Sequence, residues 1–192
     1  MALTLFININ ELTDEQYSRE MDFLCPHKCE RVLKMRFEDD RKRSLAANLA
    51  ARRAAADFLG LEEDDIAITC DGDGKPLCDG CFLSLSHSGD YAVCAASSFP
   101  IGVDIEKKRE INPMLAKKIC VSDAEREYAS DNQKLLMLWS VKEACFKALS
   151  PQVDTVGDIV LEITEKGFEC GGISFIETGI VHKDYVFSLA SV

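Results

Sequence analysis

The chain opens on "LTLFINI" (Leu3 to Ile9), an apolar run that predicts a strand. The period then changes. From about Asp14 to Leu24, and again from about Asp40 to Leu59, apolar residues recur at three- and four-residue intervals, which predicts two helices, the second Ala-rich and stopped by Gly60. A third helix is predicted from about Asn132 to Leu149, stopped by Pro151. "HSGDYAVCAAS" (His87 to Ser97) reads as a turn leading into a strand, and "IGVDIE" (Ile101 to Glu106) as a half-buried strand. Further turns are expected at "GDGKP" and "SGD".

An internal echo organises these elements. "HSGDYAVCAAS" aligns with "HKDYVFSLAS" (His182 to Ser191) with a one-residue gap, at an offset of about half the chain. The same offset carries the Ala-rich helix onto the third helix. The expected fold is therefore α+β, with two pseudo-repeated lobes, each a long helix packed on a small antiparallel sheet. Residues 1–100 form the first lobe and 101–192 the second.

Composition narrows the class. At 192 residues, with 47% apolar and 29% charged residues, the chain is an ordinary globular sequence. It has no apolar run near the roughly 20 residues of a membrane span and no signal-peptide pattern at its start, so a cytoplasmic protein with no membrane partner is expected. Nine cysteines in that setting read as reduced thiols. "CPHKC" (Cys25, His27, Cys29) and "CDGC" (Cys78, Cys81) contain enough ligands for zinc, but the first lacks the usual two-residue gap. The net charge of -11 hides an asymmetry: residues 28–53 hold nine Lys or Arg against four acids, +5, leaving -16 elsewhere. A local basic cluster suits a small polyphosphate or an acidic protein partner. It argues against a nucleic-acid binder, which would spread basic surface more widely.

The candidate chemistry begins in the strand. Alternation puts Asp104 and Glu106 on one face of "IGVDIE" and Val103 and Ile105 on the other. The bland alternative is a solvated edge strand with its acids outward. In "WSVKEACFK" (Trp139 to Lys147), Leu135, Leu138, Trp139, Cys145, Phe146 and Leu149 share a helix face, with Glu143 and Lys147 stacked one turn apart along its edge. Lys142 falls inside the apolar stripe and needs a partner. Mg²⁺ takes carboxylates together with phosphate oxygens and water, and Asp104, Glu106 and Glu143 are of the right type to hold it. Lys75, Ser86 and His87 would add donors for a polyphosphate.

In order along the chain, "GKP" (Gly74 to Pro76), "SLSHSGDYAVCA" (Ser84 to Ala95), "IGVDIE" and "WSVKEACFK", with a weaker "RFEDDRKRSLAANLAAR" (Arg36 to Arg52), resemble the 4'-phosphopantetheinyl transferases of the surfactin-synthetase-activating type. The resemblance implies two similar α+β lobes with an active site between them. It also implies transfer of the phosphopantetheine arm of coenzyme A to a serine of an apo acyl or peptidyl carrier protein, releasing adenosine 3',5'-bisphosphate. By position, Asp104, Glu106 and Glu143 match the Mg²⁺ ligands, with Mn²⁺ as an alternative metal. Glu143 also matches the general base, acting directly or through water, and Lys147 the lysine on the pyrophosphate. Ser86 and His87 match groups near the phosphates, and Lys28, Arg31, Arg43 and Lys75 match contacts to the nucleotide. A two-lobed chain of this kind is expected to work as a monomer.

Two positions depart from the family pattern. Ser84 stands where an Asn is usual, and Val121 where an aromatic precedes "S-x-x-E", so carrier preference is less defined than chemistry. Two other classes compete. Asp90, Asp104 and the E-x-K of Glu106 to Lys108 resemble a metal-dependent nuclease core, against which the acidic bulk of the chain argues. A catalytically silent module that binds coenzyme A or a carrier protein would be marked by loss of a metal carboxylate, and all three are present.

Overall fold

The computed structural model describes residues 2–72, 74–112 and 114–192. Asp73, within the predicted "GDGKP" turn, lies outside the described residues. The chain divides into two compact units, Met1–Phe99 and Pro100–Val192.

The first unit runs β1 (Leu3–Asn8), α1 (Asp14–Asp22), α2 (Pro26–Leu33), α3 (Glu38–Leu59), β2 (Thr69–Cys70), β3 (Pro76–Cys78), β4 (Cys81–Ser88) and β5 (Tyr91–Ser97). Its five strands form an antiparallel sheet in the order β1-β5-β4-β3-β2. The helix α3 lies across this sheet, and small residues on both sides let the layers approach: Ala46, Ala50 and Ala54 join Ala92, Cys94 and Ala96 in one core. It begins two residues before the predicted start because Glu38, Asp39 and Asp40 occupy its first turn, where carboxylates meet the positive end of the helix dipole. Gly60, in the left-handed conformation at φ 68°, ends it. Tyr17, Val32 and Leu45 pack α1, α2 and α3 together. The hydrophobic pattern does not assign α2, whose signal is Pro26 at the first helical position.

The second unit runs β6 (Ile101–Lys107), α4 (Met114–Ile119), α5 (Asp123–Tyr128), α6 (Asn132–Leu149), β7 (Leu161–Thr164), β8 (Gly167–Cys170), β9 (Phe175–Val181) and β10 (Tyr185–Ser191). A three-stranded antiparallel sheet, β6-β10-β9, is covered by α6, and β7 pairs with β8 alone. Asp131 caps α6 by accepting from the Lys134 amide at 2.9 Å. Leu135, Leu138, Val141, Ala144 and Ala148 of α6 form the core of this unit with Ile159, Leu161 and Ala190.

The two units repeat one plan. The pair β4–β5 corresponds to β9–β10, β1 flanks β5 as β6 flanks β10, and α3 covers its sheet as α6 does. Tyr91 and Tyr185, which open the equivalent central strands, stand 94 residues apart. The fold is α+β, as the sequence echo predicts, with β2–β3 and β7–β8 as additions particular to each unit.

The requirement that Lys142 find a partner is met inside the second unit. Its fully buried ammonium ion-pairs with Glu125 at 2.8 Å and donates to the carbonyls of Ile119 at 2.5 Å and Ile159 at 2.7 Å. Glu125 accepts in turn from the amides of Val121 at 2.7 Å and Leu161 at 2.9 Å. These bonds join α5, α6 and the start of β7. Lys142 and its amide partners hold the Glu125 carboxyl below its ordinary pKa, against the opposing effect of burial.

Candidate active site

The site in the second unit is built where α6 crosses β6. Gly102, Asp104 and Glu106 alternate onto the strand face that the helix covers. A Cβ at Gly102 would stand 1.8 Å from the Ala144 carbonyl oxygen, so only glycine lets the helix come this close. The strand is more buried than the expected half, and the alternative of a solvated edge with its acids outward is set aside: Ile101 to Ile105 are all buried and Asp104 is only 4% exposed. The physical reason is the close approach of α6 to the face that carries the acids.

Three residues at four-residue intervals on α6 face those acids. Trp139 donates its indole N–H to Glu106 Oε1 at 2.9 Å, and Lys147 donates Nζ to Asp104 Oδ1 and to the Val103 carbonyl, both at 3.0 Å. Arg109, just past β6, reaches Glu106 Oε2 at 2.5 Å. Glu143 lies between Trp139 and Lys147. Burial pushes its carboxyl above the ordinary value, Lys147 opposes that shift, and the nearby charges of Asp104 and Glu106 add to it. The four residues expected at the metal and pyrophosphate, Asp104, Glu106, Glu143 and Lys147, are thus brought together on one helix–strand junction.

Trp139 and Arg109 are contributors that the sequence pattern does not single out. Helical spacing assigns Trp139 to the apolar face of its helix. Its place four residues before Glu143 and eight before Lys147 is the available signal.

The donor set suits a hard divalent cation, since three carboxylates share one junction and the repulsion felt by Glu143 is what such an ion relieves. In this conformation Lys147 and Arg109 hold Asp104 and Glu106. Among the described residues no three His, Cys, Asp or Glu side chains converge into a metal-holding arrangement.

The remaining site residues belong to the first unit and are described there by themselves. Ser86 and His87 are adjacent on β4, paired with Val93 and Ala92 of β5, Ser86 half-buried and His87 exposed. Lys75 follows the turn before β3, its amide donating to Asp71 Oδ1 at 2.8 Å. Arg31, in the last turn of α2, reaches the same turn: its Nη1 lies 3.5 Å from where a Cβ on Gly74 would stand. Arg43, on α3, is paired with Asp40 at 2.5 Å. Lys28 faces the interior of its unit. It is buried, and Nζ donates inward to Asn48 Oδ1 at 3.0 Å, in a network where Asn48 and Arg52 both donate to Glu20 at 2.7 and 2.8 Å. Burial lowers the pKa of the Lys28 ammonium, and Asn48, unlike a carboxylate, does not restore it by charge.

Comparison with known proteins covers nearly the whole chain. Residues 11–99 match the family model described as "4'-phosphopantetheinyl transferase, N-terminal", and residues 100–185 match that of the "4'-phosphopantetheinyl transferase superfamily". The 4'-phosphopantetheinyl transferase Sfp of Bacillus subtilis (strain 168) is 32% identical over 94% of this chain and 87% of its own length. A second transferase from Bacillus subtilis, ffp, is 27% identical over the same shares of the two chains. Among solved structures, a holo-(acyl-carrier-protein) synthase from Bacillus anthracis in complex with CoA (3',5'-ADP) is 20% identical, with a TM-score of 0.41 over 50% of this chain and 91% of that one.

Proposed function

The chain belongs to the 4'-phosphopantetheinyl transferase superfamily and transfers the 4'-phosphopantetheine arm of coenzyme A to a carrier protein, and from that premise we propose which of its residues do so. The observation that carries the assignment is the junction of α6 and β6, where Asp104, Glu106 and Glu143 interact beside Lys147. Asp104, Glu106 and Glu143 would hold Mg²⁺, or Mn²⁺ in its place. The ion, when bound, supplies charge neutralisation at the pyrophosphate.

The side chains have separate tasks in this reading. Lys147 places a cation on the coenzyme A pyrophosphate, a charge that matters most as the leaving phosphate develops. Glu143 takes the proton of the carrier serine, directly or through water, a role suited to a carboxyl whose pKa is raised. The serine oxygen then forms a bond to the phosphorus bearing the pantetheine arm, and the bond from that phosphorus to adenosine 3',5'-bisphosphate breaks. Ser86 and His87 donate to phosphate oxygens, and Arg31, Arg43, Lys75 and, after turning outward from Asn48, Lys28 meet the nucleotide. The first unit supplies the nucleotide contacts and the second the metal carboxylates, in a single chain acting as a monomer in the cytoplasm. Among the described residues, no helix is long and apolar enough to cross a membrane.

The test is intact-mass analysis of apo acyl and apo peptidyl carrier proteins incubated with this protein, coenzyme A and Mg²⁺. A gain of one phosphopantetheine on any of them is expected. No gain across the panel, with coenzyme A binding retained, would point to a silent binding module.

A further inference from the structure

Six of the nine cysteines stand in pairs: Cys25 with Cys70, Cys78 with Cys81, and Cys145 with Cys170. Two of these pairs join segments that are already held. Cys78 and Cys81 face each other across a two-residue turn, and Cys145 is fully buried in the core of its unit. The Cys25–Cys70 pair differs, because it links two short elements 45 residues apart in sequence. Cys25 caps the start of the eight-residue helix α2, and Cys70 ends the two-residue edge strand β2. The Cys25 thiol donates to Cys70 Sγ at 3.7 Å, and both residues are half-buried, within reach of a small solute.

We infer that Cys25 and Cys70 are a reversible thiol–disulfide pair, closed by two-electron oxidants of the hydroperoxide class and reopened by dithiols. Closing requires an S–S length of about 2.05 Å, so the sulfurs approach by roughly 1.7 Å from their present 3.7 Å. A short edge strand and a short helix can supply that movement. In the reaction the Cys25 sulfur takes one oxygen from the peroxide as a sulfenic acid, and the other leaves as water. The Cys70 sulfur then attacks the Cys25 sulfur, and the displaced hydroxyl leaves with the Cys70 proton as a second water. Two thiols and one hydrogen peroxide give one disulfide and two waters. Burial and the bond to Cys25 raise the pKa of the Cys70 thiol, while the charges of Lys28 and Arg31 oppose that shift and favour its thiolate.

Closure has a consequence that rests on the proposed coenzyme A contacts. It draws the start of α2 toward the β2–β3 hairpin, and with it Arg31 toward the turn that carries Gly74 and Lys75. The room for a phosphate between those cations narrows, so the oxidised protein binds coenzyme A more weakly.

The experiment uses the full chain, reduced and then treated with hydrogen peroxide. Alkylation and non-reducing digestion should yield a Cys25–Cys70 linked peptide that dithiothreitol removes. The melting temperature of the wild type should rise on oxidation by ~5 °C more than that of Cys70→Ser, because a cross-link closing a long loop restricts the unfolded chain. The coenzyme A Kd should rise at least about threefold on oxidation of the wild type and stay constant in Cys70→Ser. Recovery of Cys25 and Cys70 as separately alkylated thiols, or linked to other cysteines, would overturn the pair, and this map on the wild type decides the matter even if the variant fails to fold. A linked pair with unchanged coenzyme A affinity would overturn the consequence. Absence of coenzyme A binding in the reduced protein would count against the coenzyme A contacts themselves, and the peptide map would still show whether the two sulfurs join.

Discussion

Burial raises the cost of a charge on Glu143, which sits four residues before Lys147 on α6, and the nearby charges of Asp104 and Glu106 add to that cost. Its pKa is raised above the ordinary 4.5, so the folded protein keeps a proton that the unfolded chain has released. The stabilisation this gives is complete below pH 4.5 and is lost as pH rises through the raised value. In metal-free protein, Glu143→Gln should therefore melt above the wild type at pH 7. The gap should close as pH falls below 4.5, and Mg²⁺ should narrow it at pH 7 by stabilising the wild type alone. Melting curves at several pH values, with and without Mg²⁺, check both points. At this scale the sequence is most informative where spacing alone fixes a face, as for Asp104 and Glu106 on the strand and Glu143 and Lys147 on the helix. It is least informative for Lys28. Its inward turn depends on Asn48 and Glu20, which come from other helices and leave no mark on the local pattern.

Elements position these residues through two devices, one steric and one polar. The steric device is Gly102, where an added methyl would stand 1.8 Å from a helix carbonyl oxygen. Because that neighbour is backbone, Gly102→Ala has to push α6 away from β6, at a cost of about 3 kcal/mol, the upper end of the usual overpacking range. The displaced helix should also separate Lys147 from Asp104 and lower turnover, which denaturant titration and steady-state kinetics would show together. The polar device is Lys142 with Glu125. Lys142→Met leaves a buried carboxylate facing no cation and should cost about 3–5 kcal/mol, while Lys142→Met with Glu125→Gln should recover part of that loss. A double-mutant cycle in urea measures the difference. The long helices and central strands are legible in the sequence because their periods run over many residues. The helix α2 is not, since eight residues give barely two turns of pattern. The need of Lys142 for a partner is legible too, but the partner, 17 residues away on α5, is not.

At the scale of the whole molecule, one structural plan occurs twice: a long helix over a three-stranded antiparallel core sheet, with equivalent strands in the same order. The echo between the β5 and β10 segments is readable because a central strand needs the same run of small and apolar residues in each copy. The additions β2–β3 and β7–β8 are not readable, being short and each present once. The repeat does not extend to the candidate site residues. The carboxylate cluster belongs to the second copy, while the first carries Ser86, His87 and the basic side chains. The central claim is that the cluster on α6 and β6 performs the transfer. It is tested most directly by the rate at which apo carrier protein gains phosphopantetheine with Glu143→Gln and with wild-type protein, at saturating coenzyme A and in Mg²⁺, with coenzyme A affinity measured alongside. Glu143→Gln should lose about 100-fold or more in turnover while its coenzyme A Kd stays within about threefold of the wild-type value. Turnover near the wild-type rate at unchanged affinity would contradict the assignment and leave the junction of α6 and β6 with a structural role alone.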